Sequence, residues 1–290
     1  MTQTNNNTLT EKQKRELIDI DSVFRKKGGK LYTVIPGFII RYIKHITHQN
    51  EINDVINRLN GYYGLEFIDQ LIENEFCIDV HVSNPENIPK KGRYIIASNH
   101  PLGGLDGIAL MYVIGKKRKD IKFIVNDILL ELENLKELFV PINKYGKKSY
   151  DSIKLIEEVY ESGQLVLVFP AGLVSRRQKG IICDLPWKKS FITKAIRHQR
   201  DIIPVHIHGK NSNFFYNLAN IRKKLGVKLN IEMLYLPDEM FKQRDKNITI
   251  TFGKPISYTL FTKDKTHHEW AQKVKEHVYR LPENESEFTV

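Results

Sequence analysis

Cysteine is scarce: Cys77 and Cys183 are the only two in 290 residues, far apart and without metal-ligand spacing around either. That excludes a disulfide-built scaffold and a cysteine zinc site, and it points to a reducing compartment. Long apolar runs are missing as well, and none approaches the roughly 20 residues a helix needs to cross a bilayer. Residues 1–7 are polar and 9–20 heavily charged, so the start of the sequence reads without a secretory leader. The expectation is a soluble or peripheral protein. Acidic residues are outnumbered, 34 against 45 basic, which leaves a net charge of +11 and a pI near 9.4. Such a surface attracts anions, and both nucleic acid and anionic lipid fit. Internal repeats and low-complexity tracts are absent too. With 41% hydrophobic and 10% aromatic residues the chain has enough apolar material for one α/β domain and a smaller appendage, which excludes disorder.

The patterning divides the chain near residue 80. Residues 1–80 read as an N-terminal helical region, with a charged helix over 9–27 and further helices near 50–60 and 65–76. Between them Leu31, Val34, Ile35, Phe38, Ile39, Tyr42, Ile43 and Ile46 recur at helical spacing as one apolar stripe, which Pro36-Gly37 is expected to bend. The stripe fits a helix packed on the protein's own core, and it also fits a basic amphipathic helix lying in a membrane interface. Residues 81–290 alternate strands and helices. Strands are expected at 93–97, 122–126, 139–142, 164–169, 202–208 and 248–252, and helices near 127–138, 148–162, 188–199 and 264–280. That order predicts an α/β fold with a central, mostly parallel sheet flanked by helices.

One turn in this domain carries chemistry. Ser98-Asn99-His100-Pro101-Leu102-Gly103-Gly104-Leu105-Asp106-Gly107 joins the strand 93–97 to an apolar helix. Open α/β sheets bind ligands at such strand-to-helix turns, and Gly103-Gly104 let the chain fold back so that His100 and Asp106 meet as a base and its partner. A plain reading also stands: Asp106 as a helix cap, His100 as a loop residue and the glycines as turn formers. Three later stretches follow in order, Val140-Pro141-Ile142-Asn143-Lys144-Tyr145-Gly146, Val168-Phe169-Pro170-Ala171-Gly172-Leu173-Val174-Ser175-Arg176-Arg177, and Ile203-Pro204-Val205-His206-Ile207-His208. His206 and His208 alternate onto one strand face, but no third metal ligand accompanies them.

Together these four stretches resemble the glycerolipid acyltransferase superfamily, the 1-acylglycerol-3-phosphate acyltransferase-like enzymes, over roughly residues 81–260. The family's first motif is Asn-His, four residues, Asp; here five intervene. Its Phe-Pro-Glu-Gly-Thr-Arg-Ser motif appears with Ala171, Leu173 and Val174 in place of Glu, Thr and Arg, and Lys144 stands where an arginine would. This variant form looks most like the hemolysin-labelled bacterial branch, which includes lyso-ornithine and lyso-glycine lipid O-acyltransferases.

The resemblance implies that His100 deprotonates an acceptor hydroxyl and that Asp106 orients its imidazole. It places Gly103, Gly104, Asn143, Lys144, Gly172, Ser175 and Arg176 at the substrates. The co-substrate is an acyl thioester, of acyl carrier protein or coenzyme A, and the acceptor is a lyso-lipid other than a plain glycerol phosphate. Neither metal nor redox cofactor is implied. The N-terminal region becomes a membrane-docking element, and the protein a peripheral one on the anionic inner face of the cytoplasmic membrane. Three other classes fit parts of the sequence. A nucleic-acid-binding protein would use Lys116-Lys117-Arg118-Lys119, although no nucleic-acid motif is present. A non-catalytic lipid-binding protein or a thioesterase would use the same fold.

Overall fold

A computed structural model describes residues 18–22, 25, 35–142, 150–283 and 287–289. The chain separates into two compact units, residues 1–60 and 61–290.

In the first unit α1 (Gly37–Ile46) is followed by α2 (Gln49–Arg58). Pro36, at φ −59° and ψ 140°, stands outside α1 as its N-cap residue, so Pro36 opens the helix and does not bend it. Residues 31–34 and most of the expected helix over 9–27 lie outside the described residues. The expected stripe divides between two faces. Ile40, Ile43 and Ile46 are buried, whereas Phe38, Ile39 and Tyr42 are 66%, 36% and 52% exposed. Two buried amides of α2 tie down the chain before it: Asn53 Oδ1 accepts the Ile18 N–H at 2.8 Å, and Gln49 Oε1 accepts that of Ile20 at 2.9 Å.

The second unit begins with α3 (Gly64–Gln70), which runs into one π-helical turn, Leu71–Glu75. There follow β1 (Asp79–Ser83), β2 (Tyr94–Ser98), α4 (Gly104–Gly115), β3 (Ile121–Val125), β4 (Phe139–Pro141), α5 (Tyr150–Glu161), β5 (Leu165–Val168), β6 (Arg176–Gln178) and β7 (Ile181–Cys183). Then come α6 (Ser190–His198), β8 (Asp201–His208), α7 (Asn213–Lys224), α8 (Leu236–Phe241), β9 (Asn247–Phe252) and α9 (His267–Arg280). The helix expected over 127–138 is instead a pair of 3₁₀ turns, Asp127–Glu131 and Glu133–Leu135, separated by Leu132 at φ −84°, ψ 83°. The sequence reading assigned no element to β1, the hairpin β6–β7, α7 or α8.

Seven strands make one sheet in the order β1-β9-β8-β2-β5-β3-β4. Every neighbouring pair is parallel except β8–β9. Central strands read as the unbroken apolar runs that a sheet covered on both faces requires: all of Leu165–Val168 is buried. Trp187, Phe191, Trp270 and Val274 fill the core on one face. At the end of α5 the fully buried Arg200 donates to the carbonyls of Val159, Tyr160, Ser162 and Gln164 at 2.6–3.1 Å, satisfying groups the helix leaves orphaned. Because β8, β2 and β5 are adjacent and parallel, the turns leaving their carboxyl ends meet at one edge of the sheet.

Candidate active site

At that edge β2 gives out at Ser98, and the side chain of Asn99 takes over from its backbone. Asn99 Oδ1 accepts the Ile207 N–H at 2.7 Å and its Nδ2 donates to the Ile207 carbonyl at 2.9 Å, so the amide continues the ladder to β8 by one more rung. The next residue, His100, is thereby set at a fixed place above the strand. Its backbone is held from the β5 side as well, since its N–H donates to Asp184 Oδ1 at 3.2 Å and its carbonyl accepts the Ser175 N–H at 2.8 Å. Its ring stacks on Phe169 with centroids 4.1 Å apart and planes 8° from parallel.

The chain then turns back on itself. Gly103 sits at φ +89°, a left-handed conformation that favours glycine, and a Cβ there would come 3.2 Å from the Leu236 side chain. This turn starts α4 and brings Asp106 beneath the imidazole, with His100 Nδ1 2.8 Å from Asp106 Oδ2. The extra residue of the first motif is absorbed in the turn, and the pair is intact. Asp106 also performs the capping role of the plain reading, from the third position of the helix: the same Oδ2 accepts the N–H groups of Leu102 at 2.8 Å and Gly103 at 3.0 Å. Burial pushes the fully enclosed Asp106 carboxyl up from the ordinary range, and the bonds from His100, Leu102 and Gly103 oppose that shift. With Nδ1–H directed at Asp106, the tautomer left at His100 has a free lone pair on Nε2, and the side chain is 17% exposed. That is the arrangement of a base with an orienting carboxylate.

The other expected site residues are not equivalent. Gly103 directs its N–H to Asp106, whereas Gly104 opens α4, where helix geometry leaves the N–H groups without intrahelical acceptors. Ser175 is buried and joins the His100 turn through its backbone, while its hydroxyl donates to Asp184 Oδ1 at 2.6 Å. Gly172 lies exposed in the turn after β5, its N–H on the Phe169 carbonyl at 3.0 Å. Arg176 faces inward: its guanidinium meets the fully buried Glu232 at 2.9 Å, and Arg222 meets the other oxygen of Glu232 at 2.7 Å. Asn143 and Lys144 lie outside the described residues.

Asn99, Phe169 and Asp184 are further residues of the site. Asn99 and Phe169 stood inside motifs read from the sequence, but Asp184 had no motif to mark it. It is wholly buried, with Oδ2 accepting the Trp187 indole N–H at 2.8 Å and its own N–H donating to Tyr279 at 2.7 Å. His206 is buried beside Tyr279, ring centroids 5.7 Å apart, and burial followed by the nearby His208 pushes its pKa down to about 4. Among the described residues Glu157, Glu161 and His198 bring three metal-donor atoms together, but Glu157 is already paired with the cations of Lys194 and Arg197.

Residues 22–286 match the model of a family described as Acyltransferase. A lyso-glycine lipid O-acyltransferase from Bacteroides thetaiotaomicron is 50% identical, over 91% of this chain and 97% of that protein. One from Phocaeicola vulgatus is 48% identical, over 91% and 95%. Among solved structures, a 1-acyl-sn-glycerophosphate acyltransferase from Thermotoga maritima superposes with a TM-score of 0.48 at 17% identity, covering 87% of this chain and 95% of that one. With nearly its whole length matched by the family model and by relatives at half identity, this chain belongs to the acyltransferase family.

Proposed function

We propose that this acyltransferase moves a fatty acyl group from an acyl thioester, of acyl carrier protein or coenzyme A, to the hydroxyl of a lyso-amino-acid lipid, with lyso-glycine lipid as the acceptor. The observation that carries the reaction is the His100–Asp106 pair at the head of α4, with Nδ1 engaged and Nε2 free. The activity for which both of these relatives are named supports the acceptor. So does the third motif, where Ala171, Leu173 and Val174 offer no polar side chain to a glycerol phosphate.

His100 Nε2 takes the proton of the acceptor hydroxyl as its oxygen attacks the thioester carbonyl. The tetrahedral oxyanion rests on the free N–H groups at the start of α4, at Gly104 and Leu105, where the helix dipole adds to the hydrogen bonds. Collapse breaks the C–S bond, and the departing thiolate recovers the proton from His100. Transfer is direct and the chemistry draws on no cofactor. Lys144, with Asn143 beside it in sequence, meets the acceptor's carboxylate as a point charge. Residues 1–80 act as the docking region and 81–290 as the catalytic domain. Exposed Phe38, Ile39 and Tyr42 on α1, together with the excess positive charge, seat the protein peripherally on the inner face of the cytoplasmic membrane.

Incubating the purified protein with labelled acyl-carrier-protein and coenzyme A thioesters and a panel of lyso-lipids, followed by lipid mass spectrometry, tests this reading. Lyso-glycine lipid should be acylated with a higher kcat/KM than lysophosphatidic acid. A strong preference for lysophosphatidic acid would overturn the acceptor assignment. Thioester hydrolysis without acylated lipid would favour the thioesterase reading.

A further inference from the structure

Helix α7 has two apolar faces. Phe215, Tyr216 and Ala219 are buried, with Phe215 and Tyr216 packed against Val174 of the site. On another side Phe214, Leu218, Ile221 and Leu225 follow one another at i, i+4, i+7 and i+11, the spacing of a single helical stripe. Phe214, Ile221 and Leu225 are 49%, 55% and 74% exposed, and beyond the helix Val227 and Leu229 carry the apolar edge onward at 42% and 72%.

This edge is a built projection. The Gly226 N–H bonds the Lys223 carbonyl and the Val227 N–H bonds the Arg222 carbonyl, each at 3.1 Å, and Gly226 takes the φ of +69° that such a helix-ending turn requires. Arg222 locks the turn, donating to the Val227 carbonyl at 2.7 Å and pairing with buried Glu232. Lys224 flanks the stripe, and Lys223 and Lys228 stand around the end of the helix that carries it, all three exposed and without an ion pair among the described residues. Past the loop, Leu236 lies against Gly103, so the edge belongs to the packed lobe that walls the His100 turn.

We infer that this edge is a membrane contact made by the catalytic unit itself: Ile221, Leu225 and Leu229 enter the interface of an anionic bilayer, and Lys223, Lys224 and Lys228 lie at head-group level. The inference rests on the reading that the acceptor is a bilayer lipid. Apolar side chains interleaved with cations are the composition that interface takes, each lysine adding attraction to anionic lipid. A second copy of this chain would bring the same three lysines against them, which opposes self-association.

The full chain should be sedimented with vesicles of phosphatidylglycerol and phosphatidylcholine in equal parts. Leu225→Glu with Leu229→Glu should lower vesicle affinity about tenfold or more even at high salt, as two leucines no longer leave water. The melting temperature and the acylation of a detergent-dispersed lyso-lipid should stay at wild type. Lys223→Ala, Lys224→Ala and Lys228→Ala together should weaken binding at low salt only. Leu229→Trp should shift its emission to the blue on vesicles, a clear signal because Trp187 and Trp270 are fully buried. Wild-type vesicle affinity in the double glutamate variant, or a dimer that this variant dissociates, would overturn the inference. Absence of acyl transfer to detergent-dispersed lyso-lipid by the wild type would instead overturn the acyltransferase reading.

Discussion

His100 is held by four separate contacts before it does any chemistry: Asp184 on its N–H, Ser175 on its carbonyl, Phe169 on its ring and Asp106 on Nδ1. Removing the imidazole leaves the backbone contacts in place, so His100→Ala should fold normally and lose about 10²–10⁴-fold in kcat. Asp106→Asn should lose a comparable amount, because an amide cannot hold Nδ1–H with a carboxylate's charge and the wrong tautomer follows. Had the fifth intervening residue displaced the carboxylate, that second loss would be small; the 2.8 Å contact predicts that it is not. A different histidine contributes to the loss of stability in acid. His206 has its folded pKa depressed to about 4 by burial, so the folded protein binds fewer protons than the unfolded chain below pH 6.5. Stability should therefore fall with falling pH through that window, by about 2 kcal/mol between pH 6.5 and 5 from this group. Urea midpoints for His206→Gln at the two pH values should show a correspondingly smaller difference, and an unchanged difference would contradict the assignment.

Among the elements, the hairpin β6–β7 determines what Arg176 can do. The family resemblance implies Arg176 at the substrates, but three-residue strands turn it inward onto Glu232. Arg176→Met leaves Glu232 with Arg222 alone in a dry site, and should cost about 2–3 kcal/mol of stability. The KM for the acceptor should hardly change; a raised KM with unchanged stability would return Arg176 to the acceptor site. The central strands were legible because continuous apolar runs such as Leu165–Val168 have no other use, and the catalytic turn was legible because its residues are neighbours in sequence. The hairpin was not, since its strands are only three residues each and one of them, Arg176–Gln178, is wholly polar. Helix α7 was not, because apolar residues on two faces blur its period. Asn99 stood in the motif without a role because its partner lies 108 residues away, and Asp184 reaches His100 across 84. Pairings at that range leave no local signal.

At the scale of the molecule, no helix among the described residues is long and apolar enough to cross a membrane, and the function proposed above relies on docking. The part of the N-terminal apolar stripe that lies in α1 divides between two faces. Its outward side, Phe38, Ile39 and Tyr42, is the one available to lipid. Phe38→Asp with Ile39→Asp should leave the fold intact by circular dichroism and reduce vesicle binding at high ionic strength, where the excess of eleven positive charges is screened. Unfolding of that variant would show the outward face to be core. The central claim concerns acyl transfer by His100. It is tested most directly by product formation from labelled acyl thioester and lyso-glycine lipid, measured for wild type and His100→Ala side by side by lipid mass spectrometry. The wild type should form the acylated lipid with release of one thiol per transfer, and the folded variant should fall to about a hundredth of that rate or less. Wild-type turnover in folded His100→Ala protein would contradict the account.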